Sequence, residues 1–162
     1  MRGTILQINI SSGGVPKRPV FEADVHELGI AGDKQRNTKY HGGPRKALLL
    51  IASEVIDSLR DEGWPLFYGA LGENLTTSGI DHRLWRPGQR FRAGSAIIEL
   101  TQPRQPCHTL DPYGPGIQTR LFDQKVKKLD PSSPRWGLSG FYASVVQPGR
   151  IVPMDIIESV DS

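Results

Sequence analysis

Glycine and proline interrupt this chain too often for long helices. There are 18 glycines and 13 prolines among 162 residues, about a fifth of the chain against roughly 12% in ordinary usage. Such punctuation leaves short segments joined by many turns, which disfavours a helix bundle and favours a β-rich fold. The surplus stays below the level that marks disorder, and the length suits one domain with a sizeable core. No fixed-period repeat, low-complexity tract or shift in composition divides the chain, so residues 1–162 are read as one domain.

Apolar alternation predicts a strand over Thr4–Ile10 and another over Val20–His26, the latter with Phe21, Ala23 and Val25 facing inward. Residues 29–44 read as loop. The apolar run Lys46–Ala52 reads as a buried strand or the lead into a helix. Ser53 is placed to N-cap a helix whose Ala52, Val55, Ile56 and Leu59 share one face, stopped by Gly63 and Pro65. A short polar strand falls within 69–79. A hairpin turns at Ala93-Gly94, a second helix covers 117–128, and closing strands cover 141–147 and 151–160. The expectation is a mainly β, barrel-like domain of seven or eight short strands with a few peripheral helices.

Cys107 is the only cysteine. That excludes an internal disulfide and a Cys-rich zinc site, and makes the reduced cytoplasm the expected compartment. The N-terminus has no signal-peptide core, and no apolar run reaches the length of a membrane span. A net charge of +3 without a Lys/Arg run gives no case for nucleic acid. It is compatible with a small anionic ligand held by a few placed cations.

Cys107 follows a predicted strand in a loop stiffened by Pro103 and Pro106. Arg104 would favour its thiolate, the form that acts as nucleophile or soft metal ligand; a buried, inert thiol is the alternative. Adjacent residues of extended chain point apart, so His108 is expected at the surface or in a supporting role rather than as a dyad partner. A cysteine hydrolase would need a base in reach; His41 could be that base only through the fold. Lys17 and Arg18 follow Gly13-Gly14-Val15-Pro16, a loop that could bind phosphate or be a solvated turn. His41 precedes paired glycines, and Gly72-Glu73-Asn74 sets an acid and an amide behind a glycine. Asn74 could meet the edge of a heterocycle, since it both donates and accepts. Common nucleotide-loop, zinc-hydrolase and nucleophile-elbow motifs do not occur.

In order, Gly14-Val15-Pro16-Lys17, Gly29-Ile30-Ala31-Gly32-Asp33, His41-Gly42-Gly43, Leu71-Gly72-Glu73-Asn74-Leu75-Thr76 and Gln102-Pro103-Arg104-Gln105-Pro106-Cys107 resemble the MOSC family, the molybdenum-cofactor sulfurase C-terminal-type domains. The tail Gly140–Val145 with Pro148-Gly149 is similar to the single-domain bacterial branch associated with resistance to N-hydroxylated purines. The likeness covers about residues 13–150. It implies a strand barrel holding a pterin-based molybdenum cofactor, not pyridoxal phosphate, with Cys107 as molybdenum ligand or sulfur carrier. Lys17, Arg18 and Arg104 would then serve the cofactor phosphate, with His41, Gly72, Glu73 and Asn74 completing the pocket.

The implied reaction is reduction of N-hydroxylated compounds, such as hydroxylaminopurines and amidoximes, to amines. A separate reductase is expected to supply the electrons, since no flavin, haem or iron–sulfur motif is present. The alternatives are a carrier that passes on a Cys107 persulfide and a non-catalytic cofactor carrier. A homodimer is compatible with the sequence. One departure is Pro153-Met154-Asp155, where relatives often place glycine before the aspartate.

Overall fold

The computed structural model describes residues 1–34 and 42–160. Seven strands close into a barrel. Strand β1 (Arg2–Ile10) pairs along one side with β6 (Leu75–Ser78) and along the other with β11 (Ile156–Ser159), which joins the two ends of the sheet. From β11 the ring continues through β7 (Arg90–Ala93), β8 (Ala96–Pro103), β9 (Phe141–Gln147) and β5 (Leu48–Ala52) back to β6. Closure removes the free edges that an open sheet exposes. Strand β2 (Arg18–Val20) pairs with the far end of β1, from Ile8 to Ile10. A small second sheet has the order β10 (Gly149–Ile151), β3 (Ala23–His26), β4 (Gly29–Ile30).

All five residues of β5 are buried, which explains their unbroken apolar run. One face looks into the barrel; the other lies under helix α1 (Ser53–Asp61), the crossover to the parallel strand β6. Ser53 does not cap this helix. The strand runs straight into it, so Ala52 takes the cap position and Ser53 is its first buried turn residue.

Three expected elements are each split in two. The segment 20–26 breaks after Val20 because the chain there leaves the barrel for the small sheet; Phe21, expected inside, is 88% exposed at the corner. The segment 117–128 forms α2 (Ile117–Leu121) and α3 (Gln124–Lys127), divided at Asp123, whose side chain caps α3 by accepting from the Val126 amide at 2.9 Å. The last segment, 151–160, contributes β10 and β11 to different sheets, with a turn between them. Strand β4 lies in the stretch read as loop. The described strands therefore number eleven, not seven or eight, but the expected barrel with few helices stands.

Among the described residues, no helix is long and apolar enough to cross a membrane.

Candidate functional site

A cavity of about 760 Å3 opens at one end of the barrel, within the range of small-molecule and cofactor sites. The loop between β1 and β2, the start of β5, the Gly72–Asn74 segment leading into β6, and the chain from Gln102 to Thr109 beyond β8 contribute to its wall. Lys17, Lys34, Lys46 and Arg104 line it, and no Asp or Glu is among the described lining residues. The cavity is therefore built for negative charge.

Cys107 reaches the lining at the point where extended backbone gives way to a 3-10 turn, His108–Tyr113. Its half-buried Sγ lies 3.0 Å from the Thr109 hydroxyl. Because the chain turns at His108, the exposed imidazole lines the same cavity instead of pointing away from it. The local bend overrides the alternation of an extended strand. Among the described residues no group of three or more His, Cys, Asp or Glu could hold a metal ion.

Arg104 is buried, and its main-chain amide is held by the Gly140 carbonyl at 2.9 Å. Its guanidinium donates to the Leu71 carbonyl at 2.6 Å and the Ser139 carbonyl at 3.4 Å. Neither carbonyl is charged, so no carboxylate hydrogen-bonds this guanidinium on the cavity wall. Tyr142 of β9 lines the wall with Lys46 5.2 Å from its ring centroid. Burial holds the Tyr142 phenol above its usual range, partly opposed by nearby Arg104, so it remains a neutral donor.

The other expected residues divide. Lys17 lines the cavity, yet its ammonium is bound to Asp33, a residue to which no role was assigned. Arg18 is absent from the lining and lies exposed on β2, 5.9 Å from the Phe67 ring centroid. Gly72 lines the wall at φ +90°, a conformation that favours glycine, and a Cβ there would meet Val15 at 2.9 Å.

Asn74 also lines the wall, but its amide is engaged: Nδ2 donates to the Asn9 carbonyl at 3.1 Å and to Asp33 at 2.8 Å, and Oδ1 accepts from the Leu49 amide at 3.0 Å. Both donors are spent, so Asn74 joins β1, β5 and Asp33 rather than donating to a heterocycle. Glu73 is fully buried and is not among the residues that line the cavity. His41 lies outside the described residues. Lys34, Lys46 and Tyr142 were missed; isolated lysines carry no sequence signal until the fold gathers them.

Residues 37–158 match the family model described as the MOSC domain. The chain belongs to the MOSC family. MOSC domains are associated with the molybdenum cofactor in general. The chain is 33% identical over 141 residues to the protein YiiM of Escherichia coli, and 32% identical over 142 residues to the uncharacterized protein YflK of Bacillus subtilis. These matches take in 83% and 86% of this chain but only 58% and 60% of those relatives. The crystal structure of YiiM from Geobacillus stearothermophilus superposes with a TM-score of 0.72 at 27% identity, over 98% of this chain and 75% of that one. The MOSC donor set fits what the cavity offers: one soft thiol, cations for a phosphate, and no carboxylate among the described lining residues.

Proposed function

We propose that this MOSC chain binds a pterin-based molybdenum cofactor in the cavity, with Cys107 as the protein ligand to molybdenum, and reduces N-hydroxylated compounds to amines. The observation that carries this reading is the placement of a single thiol on the wall of a cation-lined cavity. When bound, the cofactor supplies two-electron chemistry that accepts oxygen from the substrate. The overall reaction is R–NHOH plus two electrons and two protons, giving R–NH2 and water. An amidoxime gives an amidine and water in the same balance. The electrons come from a separate reductase, in the cytoplasm.

The chain's own residues bind and orient. Arg104, Lys34 and Lys46 offer charge to the cofactor phosphate. The Thr109 hydroxyl is the side-chain partner of the Cys107 sulfur and fixes its orientation. The Tyr142 phenol and His108 face the same space.

Two measurements test the reading. Protein purified from its native host should carry about one molybdenum per chain, and Cys107→Ala should lose most of it. Loaded wild-type protein with a chemical reductant should convert a hydroxylaminopurine to its amine. A Cys107→Ala variant that keeps both the metal and the wild-type rate overturns the assignment. A persulfide on Cys107 after incubation with a cysteine desulfurase, with no bound molybdenum, would replace it with sulfur transfer.

A further inference from the structure

Within the Gly72–Asn74 segment, Glu73 is the residue that turns away from the cavity. Its neighbours on both sides line the wall, while its own side chain is 0% exposed. Oε2 accepts from the Thr76 hydroxyl at 3.2 Å, and Oε1 has no hydrogen-bond partner. Burial disfavours the ionised carboxyl; the Gly69 and Glu73 backbone amides and the Thr76 hydroxyl oppose this, and Arg104 adds the one cationic charge that acts on it. That guanidinium donates to two carbonyls and to the Tyr142 phenol rather than to the carboxyl. Its Nη2 lies 3.8 Å from where a Cβ on Gly72 would stand. Arg104 thus lines the cavity and stands close to the backbone beside Glu73, near enough for its charge to act on the buried carboxyl.

We propose that Glu73 is a proton-uptake group coupled to the cavity through Arg104, so that an anion bound against Arg104 draws a proton onto the buried carboxylate. The inference rests on the cavity being an anion site, as the proposed function has it, but requires neither molybdenum nor turnover. The field of Arg104 helps make an ionised Glu73 tolerable. A second negative charge beside Arg104 competes for that field, and low polarity strengthens the conflict. Neutralising Glu73 relieves it. By linkage, whatever raises proton affinity at Glu73 on anion binding must also make anion binding stronger at lower pH.

The groups packed around Glu73 leave it as the one that titrates near neutrality. Arg104 comes from the chain beyond β8. Tyr113, from the 3-10 turn, donates to the Ala70 carbonyl at 2.6 Å, and burial followed by the Glu73 charge pushes its phenol up. Thr76 of β6 and the Asn9 amide of β1 are uncharged; the latter donates to the Glu73 carbonyl and to the Thr76 hydroxyl. The Lys17–Asp33 pair lies beyond Asn74. Burial pushes the Glu73 carboxyl up to about 7.

Sulfate is the probe, because it stays a dianion throughout the range. Calorimetry should give equal sulfate affinity for wild type and Glu73→Gln near pH 5.5. Near pH 8.5 the wild type should bind about tenfold more weakly than the variant, corresponding to one pKa unit of coupling. Every other cavity group is common to both proteins and cancels in the ratio. An affinity ratio that does not change with pH, or no sulfate binding by either protein, overturns the proposal. Carboxyl carbon NMR of the wild type gives a second reading: the Glu73 midpoint should move upward on adding sulfate, and an unmoved midpoint overturns the proposal even if the variant fails to fold. Failure of molybdenum loading would defeat the proposed function and leave both readings intact.

Discussion

Lys17 Nζ lies 2.6 Å from both carboxylate oxygens of Asp33, with the two side chains 10% and 2% exposed. The carboxylate also accepts from the Ser11 amide at 2.9 Å and from Asn74 at 2.8 Å. This buried knot ties the loop between β1 and β2, the stretch after β4, and the Gly72–Asn74 segment into one wall of the cavity.

Removing one partner of such a pair strands a buried charge. Asp33→Ala should cost about 3–5 kcal/mol of stability in urea unfolding. The double variant Lys17→Met/Asp33→Asn should lose less than Asp33→Ala alone, because no unpaired charge remains and an asparagine oxygen can still accept from Ser11. A loss below about 1 kcal/mol for Asp33→Ala would show that the pair behaves as a surface contact.

Glu73 makes stability depend on pH with a definite sign. Its folded pKa of about 7 lies above the ordinary value of 4.5, so the native state holds more protons than the unfolded chain between these values. Wild-type stability therefore falls as pH rises through that window, by about 3 kcal/mol when complete. Glu73→Gln should remove this component and exceed the wild type in stability near pH 8. Parallel stability curves for the two proteins from pH 5 to 8 would contradict it.

Asn74 provides a contrast between holding a ligand and holding the fold. Three hydrogen bonds end on its amide, each worth about 1 kcal/mol, with buried partners left unpaired on removal. Asn74→Ala should thus lower stability by about 3 kcal/mol in the absence of any ligand. Unchanged melting with weakened cofactor retention would instead restore the ring-edge role read from the sequence.

Met154 stands where glycine was the family expectation, and its φ is +74°. Its amide donates to the Ile5 carbonyl at 2.7 Å, and its side chain is 66% exposed. A non-glycine residue pays roughly 1–2 kcal/mol for this conformation, while glycine's extra flexibility costs about 0.5–1 kcal/mol. Met154→Gly should therefore raise the melting temperature by roughly 1–4 °C. A clear fall would mean that the exposed thioether packs on something that offsets the strain.

Some of this was legible in residue order. The apolar run of β5 marked a strand buried on both faces. The Pro103–Cys107 segment marked a fixed thiol loop, and it delivers Cys107 and Arg104 to the same cavity. Met154 departs from the glycine that the family resemblance places before Asp155, and the backbone there is left-handed. Other expectations failed where neighbours in space decided the outcome. Phe21 has the right parity for a core residue, but the chain changes sheets beside it and leaves it outside. Arg18 follows Lys17 directly, and the strand geometry that brings Lys17 to the wall takes Arg18 away from it.

The sequence by itself determined a chain of short strands and glycine-shaped loops, and marked one thiol as the residue on which its chemistry would turn. Local rules suffice for this, because turn residues, alternation and motif order act over a few neighbouring positions. The tertiary structure decided which polar groups reach the cavity wall and which are tied up elsewhere. Lys17 and Asn74 are consumed by Asp33, Glu73 is buried outside the lining, and Lys34, Lys46 and Tyr142 are gathered from separate segments. Those outcomes depend on burial and on pairings across the closed barrel, where the polarity around a group, rather than its identity, sets what it can bind.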